Sequence, residues 1–226
     1  DAVIVQDFGV ARVVRREFPR LRLHASTQMA LHEPASIAAL ADLGFSRVTL
    51  ARELTLAEIR VIRQAVPLEI EVFAHGALCY AYSGLCLYSS LLRGRSGNRG
   101  RCAYPCRGAI RWGESRRFSF SMKDLALEEQ VRDLAAAGVH SLKIEGRKKS
   151  PLYVAAVTAL YRRILDGAPR SEIEARAGDT RAIFSRSRTR LCLDGRHAPE
   201  VTDPDLVGHR GKPIGRVNAV RNREDG

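Results

Sequence analysis

Six short segments rich in Val, Ile and Leu recur along the chain, about 20 to 25 residues apart except for one longer interval. Helical patterns lie between most of them. This alternation predicts parallel strands joined by right-handed helical crossovers. The six segments are DAVIVQD from Asp1, LRLHAS from Leu21, SRVTLA from Ser46, EIEVFAHG from Glu69, RFSFSM from Arg117 and HSLKIEG from His140.

Four of the intervening patterns carry start or stop signals of helices. In PASIAALADLG, Pro34 stands near the start and Gly44 at the end, and in SPLYVAAVTALYRRILDG, Ser150 is placed as the N-cap with Pro151 at the first helical position. The other two, LTLAEIRVIRQAV and LALEEQVRDLAAAG, carry acidic residues near their starts, as the helix dipole favours. We therefore expect four helices over these segments.

The predicted fold class is α/β. Six strand–helix units without a Gly-rich dinucleotide-binding loop favour a (β/α) TIM-type barrel over a Rossmann sheet. Because a whole barrel has eight units and DAVIVQD already reads as a strand, we expect a fragment of a longer protein, with the barrel truncated at its N-terminus. Residues 1–167 would form this partial barrel.

The pattern changes after Gly167. The core signal weakens, and the glycine-punctuated segments RLCLDG and GHRGKPIGRV then read as short strands. For residues 168–226 we predict a linker followed by the start of a small β-rich module.

Charge and cysteine usage narrow the function classes. The 226 residues carry a net charge of +12, which would attract the phosphates of RNA or DNA, although an arginine-rich composition alone produces the same value. Five cysteines without a signal peptide are typical of a reducing compartment. No apolar run reaches the length of a membrane span. These features predict a cytoplasmic protein without a membrane span.

In a barrel, chemistry is carried at the carboxyl ends of the strands. The fourth and sixth segments place His75, Lys143 and Glu145 there, with Glu71 in the fourth strand close by. These four are candidate catalytic residues. A metal site made from strand-end histidines and Glu145 is geometrically conceivable, but no ligand spacing supports it.

The longer interval holds four of the five cysteines in a loop over residues 76–108, with the form C-x6-C-x15-C-x3-C. A connection of this length at a strand end is typical of a functional insertion. The spacing alone leaves several readings open: an iron–sulfur site, a zinc site, a disulfide pair, a nucleophilic cysteine activated by His75, or buried structural thiols.

Basic residues surround the loop and the sixth strand. Lys148 and Lys149, before the N-terminus of the predicted last helix, would suit a phosphate. Exposed charge that contacts only water is the alternative. The candidate nucleic-acid-binding residues are Arg95, Arg99, Arg107, Arg147, Lys148 and Lys149.

The loop resembles the signature of peptidase family U32, the collagenase-like family, through EVFAHGALCYAYSGLCLYSS and GRSGNRGRCAYPCR. The segments LHASTQM, GVHSLKIEGRKKSPLYVA and GHRGKPIGRV are similar to family segments in the same order. The resemblance implies a 4Fe–4S cluster held by Cys79, Cys86, Cys102 and Cys106.

The same resemblance implies a function. Because some family members hydroxylate nucleotides of tRNA or rRNA without oxygen and others act as a paired complex, the resemblance implies an RNA hydroxylase, with prephenate as a possible co-substrate and a possible protein partner. It also leaves two alternatives: a collagenase-like peptidase, or a non-catalytic iron–sulfur scaffold subunit of a hydroxylation complex.

Overall fold

Strands and helices alternate through the first half of the chain in the computed structural model, which describes residues 1–196, 200–211 and 215–220. The strands are β1 Ala2–Val5, β2 Arg22–Ala25, β3 Phe45–Thr49, β4 Glu69–Ala77, β5 Ile110–Trp112, β6 Ser115–Arg117, β7 Asp124–Ala126, β8 Ser141–Ile144 and β9 Arg188–Thr189. The α-helices are α1 Phe8–Glu17, α2 Pro34–Asp42, α3 Leu56–Ala65, α4 Tyr88–Arg93, α5 Val131–Ala136, α6 Pro151–Leu165 and α7 Arg170–Ile183.

Seven strands form one sheet that is mostly parallel. Strands β1 to β4 are parallel neighbours in chain order, and β4 also pairs in parallel with β8. The end of β4 pairs with β7 in the antiparallel sense, and β7 pairs with β9. The α/β class is therefore confirmed. Within the described residues the strands form an open path, and the closed barrel stays a prediction.

The predicted helix signals act as expected in α2, α3 and α6. Thr55 and Glu58 form a reciprocal capping box at the start of α3. Ser150 Oγ accepts a hydrogen bond from the Tyr153 amide, with Pro151 at the first helical position of α6. These caps satisfy backbone N–H groups that a helix start leaves free.

Side-chain alternation along the strands gives the sheet two different faces. One face carries apolar residues such as Leu23, Val48 and Ile70, which are buried beneath the helices. On β3, β4 and β8 the intervening positions carry Arg47, Glu71 and Lys143, among others. The helix-covered face forms the hydrophobic core, and the opposite face is polar.

Near residue 120 one predicted strand is wrong and the predicted helix after it is shorter than expected. RFSFSM is not a strand, because the chain turns there, with the Ser121 amide bonded to the Phe118 carbonyl. The strand is β7, three residues long and antiparallel to β4 rather than parallel. The following helix is consequently shorter than predicted and begins only at Val131, because the start of the predicted segment belongs to β7.

The chain after Gly167 contains a helix, α7, in the segment expected to be a linker. It packs on α6 through a shared apolar cluster and an ion pair from Arg163 to Glu172. RLCLDG forms a turn rather than a strand, because Leu191 adopts a left-handed φ of 53°. GHRGKPIGRV lies partly outside the described residues, and its described parts, 208–211 and 215–217, form no strand. The domain boundary at residue 167 stays a prediction.

Candidate cysteine-loop site

The first half of the cysteine loop is fixed to the ends of β2 and β3. Ser83 Oγ accepts hydrogen bonds from the Arg52 amide and Nε, and the Ser83 amide donates to Glu53 Oε1 at 3.0 Å. Next to it, Gly84 has φ +81°, and a Cβ there would lie 2.2 Å from the Gln28 carbonyl oxygen. Only glycine permits this approach of the two backbones. Ser83 and Gly84 therefore anchor the loop to the strand ends.

The second half of the loop is tied back to the same strand ends. Asn98 accepts a hydrogen bond from Gln28 Nε2 at 3.3 Å and donates one to the Gly84 carbonyl at 3.2 Å. The Arg147 guanidinium, which follows β8, donates to the Gly100 carbonyl. Together these bonds hold the loop against the carboxyl ends of β2 and β8.

Arg107 joins three segments at the end of the loop. Its guanidinium donates to the Leu78 carbonyl at 3.1 Å, to Ser121 Oγ at 2.9 Å and to the Met122 carbonyl. Burial lowers the pKa of this guanidinium, which is nevertheless charged at neutral pH. Arg107 therefore acts between protein groups, although its type and position also suggested nucleic-acid contact.

The four loop thiols are free, with Cys79 exposed and the other three partly buried. Burial raises the pKa of Cys106, Arg107 opposes the shift, and thiolate charge at Cys79, Cys102 and Cys86 raises it further.

Cys102 is the thiol with the most hydrogen-bond donors around it. Its Sγ accepts from the Tyr104 amide at 3.3 Å and from Ser89 Oγ at 3.7 Å, and Ser89 is fully buried. Tyr104 reaches this position with a left-handed φ of 56°. Donors aimed at a sulfur stabilise its thiolate form and tune an iron–sulfur centre.

These thiols fit a 4Fe–4S cluster by donor chemistry, because an irregular loop supplies four sulfurs, a backbone N–H donor and a neighbouring cation. Their arrangement is not that of an assembled centre. Among the described residues, no group of three or more His, Cys, Asp or Glu side chains has the geometry to hold a metal ion.

Glu71 and Lys143 belong to a bonded network on the polar face of the sheet. The Glu71 carboxylate accepts from Thr49 Oγ1 at 2.9 Å, Ser141 Oγ at 2.8 Å and Lys143 Nζ at 2.8 Å. Burial raises its pKa, but the hydrogen bonds and charge of Lys143, followed by the two hydroxyls, lower it below the usual value overall. The Glu71 carboxylate is thus held in its charged form.

His75 lies in the interior near the end of β4. Its Nδ1 is 3.2 Å from the Tyr161 hydroxyl, which itself donates to the Ala74 carbonyl, so Nδ1 is the protonated nitrogen. Burial, with lesser effects from the charges of Arg188 and Lys149, lowers the pKa of His75 to about 3. The ring is neutral at physiological pH.

A cationic cluster, formed by Arg186 and Lys149, lies near the buried carboxylate of Asp124. Asp124 accepts from Arg186 Nη1 at 3.2 Å, while Arg186 Nε is buried without a partner among the described residues. Lys149 lies over the rings of Phe184 and Tyr153. Burial lowers the pKa of Lys149 to about 8, with Asp124 and Glu145 opposing and Arg186 and Arg107 contributing.

Glu145 lies at the rim of this cationic cluster. It follows β8, its amide is bonded to the His75 carbonyl, and its carboxylate accepts from the Arg147 amide at 3.0 Å. Of the four candidate catalytic residues, His75 and Glu145 thus lie together, whereas Glu71 and Lys143 are engaged with each other inside the sheet.

Three of the predicted nucleic-acid-binding residues lie at the surface without a bonding role among the described residues, whereas Arg147 is bonded to Gly100 and Lys149 is half-buried. Arg95 and Arg99 are exposed on the loop, and Lys148 is exposed with its amine 4.7 Å from the centre of the Tyr104 ring. Unlike the guanidinium of Arg107, which bonds to protein groups, the side chains of Arg95, Arg99 and Lys148 are accessible to an anionic partner.

Sequence reasoning missed Ser89, Asp124, Phe184 and Arg186 as members of the site. Ser89 lies within the cysteine signature at a position that no ligand role singles out, Asp124 follows the segment whose predicted strand is wrong, and Phe184 and Arg186 come from a segment without a chemical motif. The positions of Asp124, Phe184 and Arg186 depend on β7 pairing with β4 and β9 pairing with β7, which no local pattern predicted.

The family model of peptidase family U32 matches residues 1–202 of the chain. Among curated proteins, the 23S rRNA 5-hydroxycytidine C2501 synthase of Escherichia coli is 43% identical over 194 residues, 83% of this chain and 29% of that protein. The tRNA hydroxylation protein P1 of Bacillus subtilis is 39% identical over 177 residues, 73% of this chain and 42% of that protein.

A collagenase of Porphyromonas gingivalis is 31% identical over 188 residues, 73% of this chain and 44% of that protein. The chain therefore spans less than half the length of each of these relatives. No solved structure gives a significant match. No helix among the described residues is both long and apolar enough to span a bilayer. The resemblance seen in the cysteine loop is confirmed by the match over residues 1–202: the chain belongs to peptidase family U32.

Proposed function

We propose that this chain is part of a 4Fe–4S-dependent enzyme that hydroxylates a nucleotide of tRNA or rRNA without using molecular oxygen. The observation that carries the proposal is the 43% identity to a 23S rRNA 5-hydroxycytidine synthase over a region that includes most of the chain. Similarity to several tRNA hydroxylation proteins supports the same substrate class. We further propose a cytoplasmic location and, for the complete protein, a closed (β/α) barrel.

Cys79, Cys86, Cys102 and Cys106 would hold the cluster. When bound, such a cluster supplies one-electron transfer. Ser89 and the Tyr104 amide would stabilise the thiolate of Cys102, and Arg107 would offset negative charge near Cys106. The contacts of Ser83, Gly84 and Asn98 with the strand ends would keep the loop in place while substrate binds.

The cationic cluster beside the loop suits a small carboxylate such as prephenate as co-substrate. Arg186 and Lys149 present donors beyond those that the single Asp124 carboxylate uses, and buried donors without partners are costly. Glu145 and the half-buried Lys149, whose pKa of about 8 is near the working pH, are placed to exchange a proton with a ligand there.

A peptidase is the second candidate, favoured by the similarity to a collagenase. A non-catalytic scaffold that acts with a protein partner is a third.

Nucleoside mass spectrometry of total tRNA and rRNA tests the proposal. A strain that lacks the gene should lose one hydroxylated pyrimidine nucleoside, and the wild-type gene should restore it. The Cys106→Ser gene should not, whereas Cys192→Ser, outside the loop, should. An unchanged nucleoside profile in the deletion strain would count against hydroxylation, and collagen cleavage by the purified protein would then favour the peptidase.

A further inference from the structure

The hairpin of β5 and β6 follows the cysteine loop and forms a two-stranded sheet apart from the main one. Only residues 107–109 separate Cys106 from β5, so the hairpin begins within about 14 Å of the candidate cluster ligand. Gly113, with φ +59°, opens its two-residue turn, and Ser115 Oγ donates to the Trp112 carbonyl at 2.9 Å.

Trp112 is the single tryptophan of the chain and lies at the tip of this hairpin. Its side chain is largely free of protein contact, with 86% of its surface exposed. Burying an indole stabilises a fold more than almost any other side chain, so full exposure contributes nothing to this fold. An aromatic ring held at the tip of an ordered turn is a suitable platform for stacking.

The hairpin carries three arginines and a single carboxylate. Arg111 and Arg116 are directly opposite each other in the β5–β6 register, on the face opposite Trp112, whereas Arg117 lies on the same face as Trp112. All three are exposed, and none forms an ion pair with any residue that the structure describes. Like charges that face each other across two strands destabilise a hairpin. The tip residue Glu114 offsets only one of the three positive charges.

We propose that this hairpin binds single-stranded RNA, with Trp112 stacked on an unpaired base, Arg117 on a phosphate at the same face, and Arg111 and Arg116 on phosphates where the strand passes round to the other face. An exposed aromatic among uncompensated arginines is the combination that binds unpaired nucleic acid, because bases stack on aromatic rings and phosphates require cations. The choice of RNA rather than DNA as the ligand rests on the proposed function. The hairpin would hold the strand while the target base reaches the cysteine loop.

The single tryptophan provides a direct test. The purified chain is titrated with an unstructured RNA of about 10 nucleotides while the fluorescence of Trp112 is followed. Stacking should quench the emission, with saturation at the Kd measured by polarisation of a labelled copy of the same RNA. Trp112→Ala should weaken that Kd about 5- to 100-fold, the effect of losing one stacked base, and Trp112→Phe should weaken it less. Thermal unfolding should be unchanged, since Trp112 is exposed.

Salt dependence tests the arginines. The double variant Arg111→Ser/Arg116→Ser should reduce the slope of log K against log[salt] by about 1.4, as expected for two lost phosphate contacts with a single strand. The control Arg12→Ser/Arg60→Ser removes the same charge from exposed positions of α1 and α3 and should change the slope by much less.

Three results would overturn the inference: RNA binding without a change in Trp112 emission, equal affinity of wild type and Trp112→Ala, or no RNA binding by the wild type. None of these results decides the proposed function, which the nucleoside profile of the deletion strain tests separately. If the hydroxylated nucleoside is lost in that strain, the enzyme stands and another surface binds its RNA.

Discussion

The Lys143 amine on β8 donates a hydrogen bond to Glu71 Oε1 on β4 across 2.8 Å. Thr49 on β3 donates to the same oxygen, so one carboxylate connects three neighbouring strands on the polar face of the sheet. Glu71, a candidate catalytic residue, thus also has a structural role that accounts for its hydrogen bonds.

Glu71→Gln should lower the free energy of unfolding by about 2–3 kcal/mol, because it leaves the partly buried Lys143 without its charge partner. Denaturant titration measures this. Glu69→Gln is the matched control: that carboxylate is 36% exposed and should cost less than about 1 kcal/mol. A Glu71→Gln protein with normal stability and no activity would support a catalytic role instead.

Arg107→Met should destabilise the protein by about 2–4 kcal/mol, since it leaves the Leu78 and Met122 carbonyls without their charged donor. The exposed Arg95→Met should leave stability within about 0.5 kcal/mol of the wild type. RNA affinity should respond to Arg95 more than to Arg107 once both proteins are compared in the folded state. Equal stability of the two variants would contradict the structural role of Arg107.

Lys149 should make stability depend on alkaline pH. Its pKa is about 8 in the folded protein and about 10.5 when unfolded, so the unfolded chain binds more protons between these values. This group therefore makes the free energy of unfolding rise from about pH 8 to pH 10.5. Subtracting the profile of Lys149→Met from that of the wild type removes the contribution of other titrating groups. A flat difference would show that Lys149 has an ordinary pKa.

Ser89→Ala should lower stability by about 1–3 kcal/mol, because the buried hydroxyl accepts from the Ala103 amide and donates to Cys102 Sγ. Ser90→Ala, one residue on and exposed, should cost less than about 1 kcal/mol. Thermal unfolding of both variants compares them directly. Identical midpoints would mean that the Ser89 contacts contribute nothing to the loop.

The sequence predicted the elements whose signals are local. Helices α2, α3 and α6 have caps or proline at their starts, and five of the six predicted strand segments form strands with residues in or against the buried apolar core. It failed at β7, where three residues pair antiparallel with the end of β4, because such pairing depends on residues far apart in the chain. It also missed α7, whose apolar face is interrupted by charged residues that pair among themselves.

The candidate site was predictable where a motif exists. The cysteines, Gly84 and Asn98 belong to one continuous signature, and the structure gives the glycine and asparagine anchoring roles. Asp124, Phe184 and Arg186 come together only through tertiary pairing, so no spacing pattern could reveal them.

Iron and inorganic sulfide analysis of protein purified without oxygen tests the central claim most directly. We predict about four iron and four sulfide per chain, lost on replacing Cys79, Cys86, Cys102 or Cys106 with serine and retained in Cys192→Ser. A colourless wild-type protein without iron, or one whose iron is unaffected by all four loop substitutions, would contradict the account.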